Sequence, residues 1–265
     1  MNTAPLYRRW LADHHRQTLS WTAGLIGVCL LYLPLFPSMR DSGLIGDKLN
    51  VMPKEMIETF GMDIMTMSTG WGYTHQTVFG MLGLLLLLVL AVSQGAAAVA
   101  GDEESGTLEL TLSHATDRRS VLTARLLAVT SIIIGTTAAL TLGVTALAVP
   151  AGLELTALGL FAEGTALALL VLTHGLIALS VGATTGRRTV AVGAATVVGV
   201  LGWFAHNMGA RAASWLPDLS PFHWAFRAQP LQGEVDLPGL CALGATCLVL
   251  AMTAYVGFSR RDLRT

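Results

Sequence analysis

Residues 101–125 read GDEESGTLELTLSHATDRRSVLTAR, a strongly charged passage set between two long apolar runs, 78–100 and 126–149. A helix needs roughly 20 apolar residues to cross a hydrocarbon core about 30 Å thick. Both flanks meet that length, so the polar passage connects two membrane spans at one face of the bilayer. Inside it, Gly106 lets the chain reorient. Residues 107–113 have helical spacing, with Leu108 and Leu112 four apart on one side. Asp102, Glu103 and Glu104 stand at the start, where the positive end of a helix dipole favours carboxylates. Thr116 or Asp117 is placed to cap the next helix, and Arg118 and Arg119 then sit at the membrane surface.

The rest of the chain has the composition that this reading requires. Its 265 residues are 53% hydrophobic and 12% charged, with a mean hydropathy of +0.61, whereas soluble domains carry about 25% charged residues. The expected fold class is therefore an all-α membrane protein. A net charge of −1 carries little information here, and nothing in the charge pattern points to nucleic acid. Cys29, Cys241 and Cys247 all fall in apolar runs, where they read as small packing residues and not as a disulfide or a metal site. No cleavable leader is expected, because the first apolar run starts only near Leu19, is long enough to span, and has no small-residue cleavage site after it.

Six spans follow, at about residues 19–36, 76–100, 126–149, 158–184, 190–207 and 239–258. Ahead of them, residues 5–17 (PLYRRWLADHHRQ) mix apolar and charged side chains as a short helix lying in the interface would. His14 and His15 in that stretch are adjacent, about 100° apart on a helix, which suits solvated surface groups better than joint metal ligation. Residues 53–68 read as an external amphipathic helix, with Met56, Ile57, Phe60, Ile64 and Met67 toward one side. Of the 16 Lys and Arg residues, eleven fall on the side of the acidic loop and both termini, and five (Arg40, Lys48, Lys54, Arg211, Arg227) fall on the other. That asymmetry predicts cytoplasmic termini and a cytoplasmic acidic loop, with the turn carrying Arg187 and Arg188 beside it. One membrane domain accounts for residues 1–265: an interfacial helix over 1–18, the six-span bundle over 19–258 and a tail over 259–265.

The acidic passage resembles the cytoplasmic loop of ABC-2 type permeases, in which an E-E-x-G-T-L-E-L-L-L run precedes a Pro-x-x-Arg turn and the third membrane helix. Weaker similarities extend over nearly the whole chain: residues 53–61 resemble the family's external Pro…Phe-Gly segment, Ser220-Pro221-Phe222 its last external loop, and 258–263 (FSRRDL) its closing F-x-R-R-D-L. Two positions depart from the pattern. Ala115 stands where the family often has proline, and Arg125 where it often has lysine. The resemblance implies a coupling helix that docks on a separate ATPase subunit through Asp102, Glu103, Glu104, Gly106, Thr107, Leu108, Glu109, Leu112, Arg118 and Arg119. It further implies two ATPase copies, a second permease, identical or homologous, and ATP with Mg bound on the partner rather than on this chain. The plainer reading of the carboxylates is a solvated face that keeps a loop in water.

The chain itself has no GxxxxGK followed by Ser or Thr, no HExxH, no GxSxG and no Cys/His pair at nucleophile spacing, so neither nucleotide hydrolysis nor other enzymatic chemistry has a starting group in it. Ionisable groups inside spans are functional candidates by default. Glu163 and His174, eleven apart, differ by about 20° around a helix and are the two candidates for a translocation path; an interfacial carboxylate and a neutral interhelical histidine are the alternatives. Trp215, Phe222 and Trp224, with Met56 and Phe60, are candidates for an external lid, against the alternative of an interfacial aromatic belt. Met62, Met65 and Met67 have the softness to hold Cu(I), but methionine is equally an apolar filler of an interfacial helix, and no metal site is assigned. The functional expectation is the membrane subunit of an ATP-driven exporter of amphipathic or lipophilic compounds. The alternative is an ATPase-linked membrane assembly or sensing factor with the same topology and no path.

Overall fold

The computed structural model describes residues 3–41, 64–107 and 117–260. These form helices with no strand among them: α1 (Thr3–Tyr32), α2 (Phe36–Asp41), a single turn at Ile64–Met67, α3 (Gly70–Glu104), α4 (Arg118–Ala148), α5 (Ala157–Thr185), α6 (Arg188–Ala212), α7 (Pro221–Phe226) and α8 (Leu237–Arg260). Six are long and apolar enough to cross a membrane: α1 with its extension α2, then α3, α4, α5, α6 and α8. The six-span expectation is met, and the helices run several residues past the apolar runs at most ends.

The N-terminal segment differs from expectation. Residues 5–17 are not a separate helix; they are the first turns of α1, which continues unbroken to Tyr32. No glycine or proline interrupts residues 6–23. The polar residues at the expected break are absorbed by the helix itself, since Thr18, Ser20 and Thr22 donate their hydroxyls to the carbonyls of His14, Arg16 and Thr18. At 30 residues the helix is about 45 Å long, longer than the hydrocarbon core, so its charged first third extends beyond the apolar zone.

α5 is the hub. It is the most buried of the six spans and α6 the least, and α3, α4, α6 and α8 all pack against it. In lipid, helices associate through close backbone approach and interhelical hydrogen bonds rather than through hydrophobic exclusion. Both devices are present. Where α3 crosses α5, a Cβ at Gly95 would strike the Gly175 carbonyl, and a Cβ at Gly175 would come within 2.8 Å of Ile133 Cδ1 on α4. Ser180 on α5 donates to the Leu250 carbonyl of α8 at 2.6 Å, Thr123 on α4 pairs with Tyr255 on α8 at 2.6 Å, and Tyr7 on α1 donates to Ser131 on α4 at 3.0 Å.

The ends of α5 have local causes. Thr156 caps its start, accepting from the Gly159 N–H at 3.1 Å. Gly186, at φ +64°, ends it in the left-handed conformation that only glycine adopts without strain. α3 is less regular: His75–Leu82 and Ala97–Gly101 are wound as π-helix. Such stretches concentrate at functional sites because the wider turn shifts which side chains face a neighbour.

Candidate functional site

Between α3 and α6, with α7 across one end, lies a cavity of about 1020 Å³. Its middle is apolar, walled by Leu84, Leu88, Val92 and Val192. One end carries Arg188 and Ser93, and the other carries His75, Gln76, His206, Asn207, His223 and Arg227. Trp71, Trp203, Phe204, Phe222 and Phe226 add aromatic surface toward that second end. Arg188 opens α6 and Asn207 lies near its close, so the cavity follows nearly the whole helix, about 28 Å at 1.5 Å per residue. Met81, Leu85, Val200 and Phe204, on its edges, are each about half exposed, so the cavity is open along the α3–α6 seam.

The first π-helical stretch of α3 forms part of this wall, and His75 begins it. His75 Nδ1 lies 2.7 Å from Glu163 Oε1 on α5, and the Glu163 side chain is fully buried behind the ring. The pair faces the cavity through the imidazole alone. His174, eleven residues along α5, does line the cavity; its Nδ1–H donates to the Leu170 carbonyl at 2.9 Å, and its ring meets Phe222 edge-on at 5.4 Å. Of the two residues expected on a path, His174 is on the wall and Glu163 stands one layer behind it.

α7 is held over the histidine-bearing end by its own caps. Ser220 donates to the Gly202 carbonyl of α6 at 2.7 Å and accepts from the Phe222 N–H at 3.1 Å. This pins Phe222, His223, Phe226 and Arg227 against α6 and the cavity. Burial holds the His223 imidazole below its ordinary pKa, against the opposing pull of Asp218. Arg227 forms two hydrogen bonds to Asp236, one of them at 2.8 Å, and these hold the Asp236 carboxyl below the usual carboxylate range. Of the expected lid residues, Phe222 is buried and lines the cavity. Trp215 is exposed away from it, and Trp224 donates its indole N–H to the Asp218 carbonyl at 2.6 Å. Met56 and Phe60 lie outside the described residues.

The acidic turn sits at the opposite end of α3. Asp102 pairs with Arg125 of α4, both largely buried, and the Arg125 guanidinium lies 5.5 Å over the Trp10 ring of α1. Trp10 in turn stacks on His14 at 3.8 Å. Glu104 accepts from the Arg188 N–H at 2.9 Å, capping the start of α6. Two of the three clustered carboxylates thus tie α3 to α4 and to α6. Gly106, at φ +73°, makes the turn that follows, braced by Thr107 donating to the Asp102 carbonyl at 3.1 Å. Arg118 and Arg119 open α4. Leu108, Glu109 and Leu112, the body of the expected coupling helix, lie outside the described residues. Among the described residues no three His, Cys, Asp or Glu side chains are grouped to hold a metal ion.

Sequence reasoning passed over His206, His223 and the pairing role of His75. His206 falls inside the expected fifth span, and the rule that picks out ionisable groups within spans also picks it out.

A comparison of the sequence with curated proteins finds no match. The family model described as ABC-2 family transporter protein matches residues 6–263, nearly the whole chain. The chain is thus a multi-pass membrane protein that belongs to the ABC-2 transporter family.

Proposed function

We propose that this chain is the permease subunit of an ATP-driven exporter and that amphipathic or lipophilic compounds pass through the α3–α6 cavity. One observation carries the reading: a cavity of about 1020 Å³ that follows nearly the length of a membrane span, apolar in its middle and polar at both ends. An assembly or sensing factor has no need of such a space. Two ATPase subunits, carrying ATP and Mg, dock at the cytoplasmic acidic turn, and a second permease covers the exposed α3–α6 seam. The Lys and Arg asymmetry supports cytoplasmic termini.

The arrangement suits mechanical coupling. Asp102–Arg125 and Glu104–Arg188 join the turn to α4 and α6, so a push on the turn is passed along α3 and to both of those helices as rigid bodies. The test is reconstitution of the permease with its ATPase in nanodiscs and measurement of ATP turnover against lipophilic compounds. Stimulated turnover supports transport, and a flat response to every compound by an intact complex contradicts it.

A further inference from the structure

We infer that the transported compounds are amphipathic anions, an apolar body carrying a negatively charged head; the inference rests on the α3–α6 cavity being the substrate path. Among the described residues no Asp or Glu lines that cavity, while two arginines and four histidines do. Carboxylates beside it are already engaged. Glu163 is fully buried behind His75 at 2.7 Å, Asp218 sits 3.6 Å from His223, and Asp236 is clamped by Arg227. Among the described residues a cationic head entering this space meets no free counter-charge, whereas an anionic head meets the Arg188 guanidinium at one end and the Arg227 guanidinium with imidazole donors at the other. The aromatic faces on the wall attract a cation through their quadrupole; a guanidinium at each end, with no free carboxylate among the described lining residues, turns the preference toward an anion.

The two cationic ends are unequal. Arg227 has its charge matched by Asp236 through two hydrogen bonds. Arg188 makes no ion pair among the described residues; Glu104 is bonded to its backbone N–H, and the residue is exposed at the cavity's other end. An anion therefore meets an unpaired guanidinium at the Arg188 end and a charge-matched one at the Arg227 end, where His75, His206 and His223 add imidazole N–H donors. The apolar middle between them accommodates the hydrocarbon body.

The experiment uses the permease–ATPase complex in nanodiscs of zwitterionic lipid and two photoactivatable probes with the same diazirine-bearing alkyl chain, one with a sulfonate head and one with a trimethylammonium head. Cross-links are mapped by mass spectrometry. The sulfonate probe is expected to label α3 and α6 cavity residues about tenfold more than the ammonium probe, the ratio of a single charge-assisted hydrogen bond. Arg188→Gln, which keeps the backbone N–H that Glu104 holds, should bring sulfonate labelling down toward the ammonium level. Labelling by the ammonium probe equal to or above that by the sulfonate overturns the anion inference and leaves the cavity reading standing. Labelling by both probes only outside the cavity overturns the two together.

Discussion

Glu163 and His75, 88 positions apart in sequence, meet at 2.7 Å where the π-helical stretch of α3 crosses α5, and the carboxylate is wholly shielded. Its second oxygen, Oε2, has no hydrogen-bond partner among the described residues, so the charge depends on that imidazole. Removing one partner of a buried pair costs about 3–5 kcal/mol, because the other charge is left uncompensated, whereas replacing both by apolar groups is often close to neutral. His75→Leu is expected to lower the melting temperature of the detergent-solubilised protein markedly, and His75→Leu with Glu163→Leu to recover most of the loss. A double variant as unstable as the single one would show that the pair does not act as a unit.

A comparable pair closes the other end of α3. Asp102 and Arg125 are both largely buried, with Arg125 lying over Trp10. Arg125→Ala should destabilise the fold by about 3–5 kcal/mol. Arg125→Lys keeps the charge but loses the planar stacking on Trp10, so its cost should be near the value of an exposed or partly buried cation–π contact, about 1 kcal/mol. Thermal unfolding followed by intrinsic fluorescence distinguishes the two, and equal losses for both would remove the ion pair from the account.

The number and order of the spans were legible because length and apolarity suffice for that: the acidic turn, Gly106 and the start of α4 at Arg118 all stand where the sequence puts them. What was not legible is which face of each span looks inward. Lipid and protein interior are both apolar, so a helix such as α4 shows no polar stripe and its rotation is hidden. Only the polar residues reveal it, through partners far away in sequence: Glu163 with His75, Arg125 with Asp102, Glu104 with the start of α6. The merger of residues 5–17 into α1 was missed for a related reason. Charged side chains suggested an interfacial helix, yet Trp10 is buried under Arg125, a contact that residues 5–17 alone could not disclose.

Glu104 separates capping from docking. It caps α6, so Glu104→Ala should cost about 1 kcal/mol, the usual value of a lost N-terminal cap. Glu104→Gln keeps an acceptor oxygen and should cost less. Glu109 lies in the segment proposed to dock, and Glu109→Lys should weaken co-purification of the ATPase, since juxtaposed like charges at an interface cost several kcal/mol. Undiminished co-purification with Glu109→Lys would assign that carboxylate to a solvated face.

The Arg227–Asp236 clamp has a defined pH signature. The folded-state pKa of Asp236 lies below its unfolded value of about 3.9, chiefly because Arg227 donates to the carboxylate. Its stabilisation is therefore complete above that unfolded value and disappears as pH falls through the lower folded value. Arg227 is 41% exposed, which limits the contribution to about 1 kcal/mol at most. Unfolding of the wild-type protein and of Asp236→Asn should differ slightly at neutral pH and converge below about pH 4. A difference that grows toward acid would have the wrong sign for this clamp.

The most direct measurement concerns the cavity itself. Val89 on α3 and Thr196 on α6 both line it, and tryptophan at both positions should fill the apolar middle without replacing any member of the Asp102–Arg125 pair or the Glu104 cap. ATP turnover of the reconstituted complex is followed against hexadecyl sulfonate, hexadecanol and hexadecyltrimethylammonium, so that the result does not depend on the sign of the head. With the wild-type permease at least one of the three should raise turnover, and with Val89→Trp, Thr196→Trp that rise should vanish while the ATPase still co-purifies. An equal rise in the filled variant would contradict passage through the α3–α6 cavity.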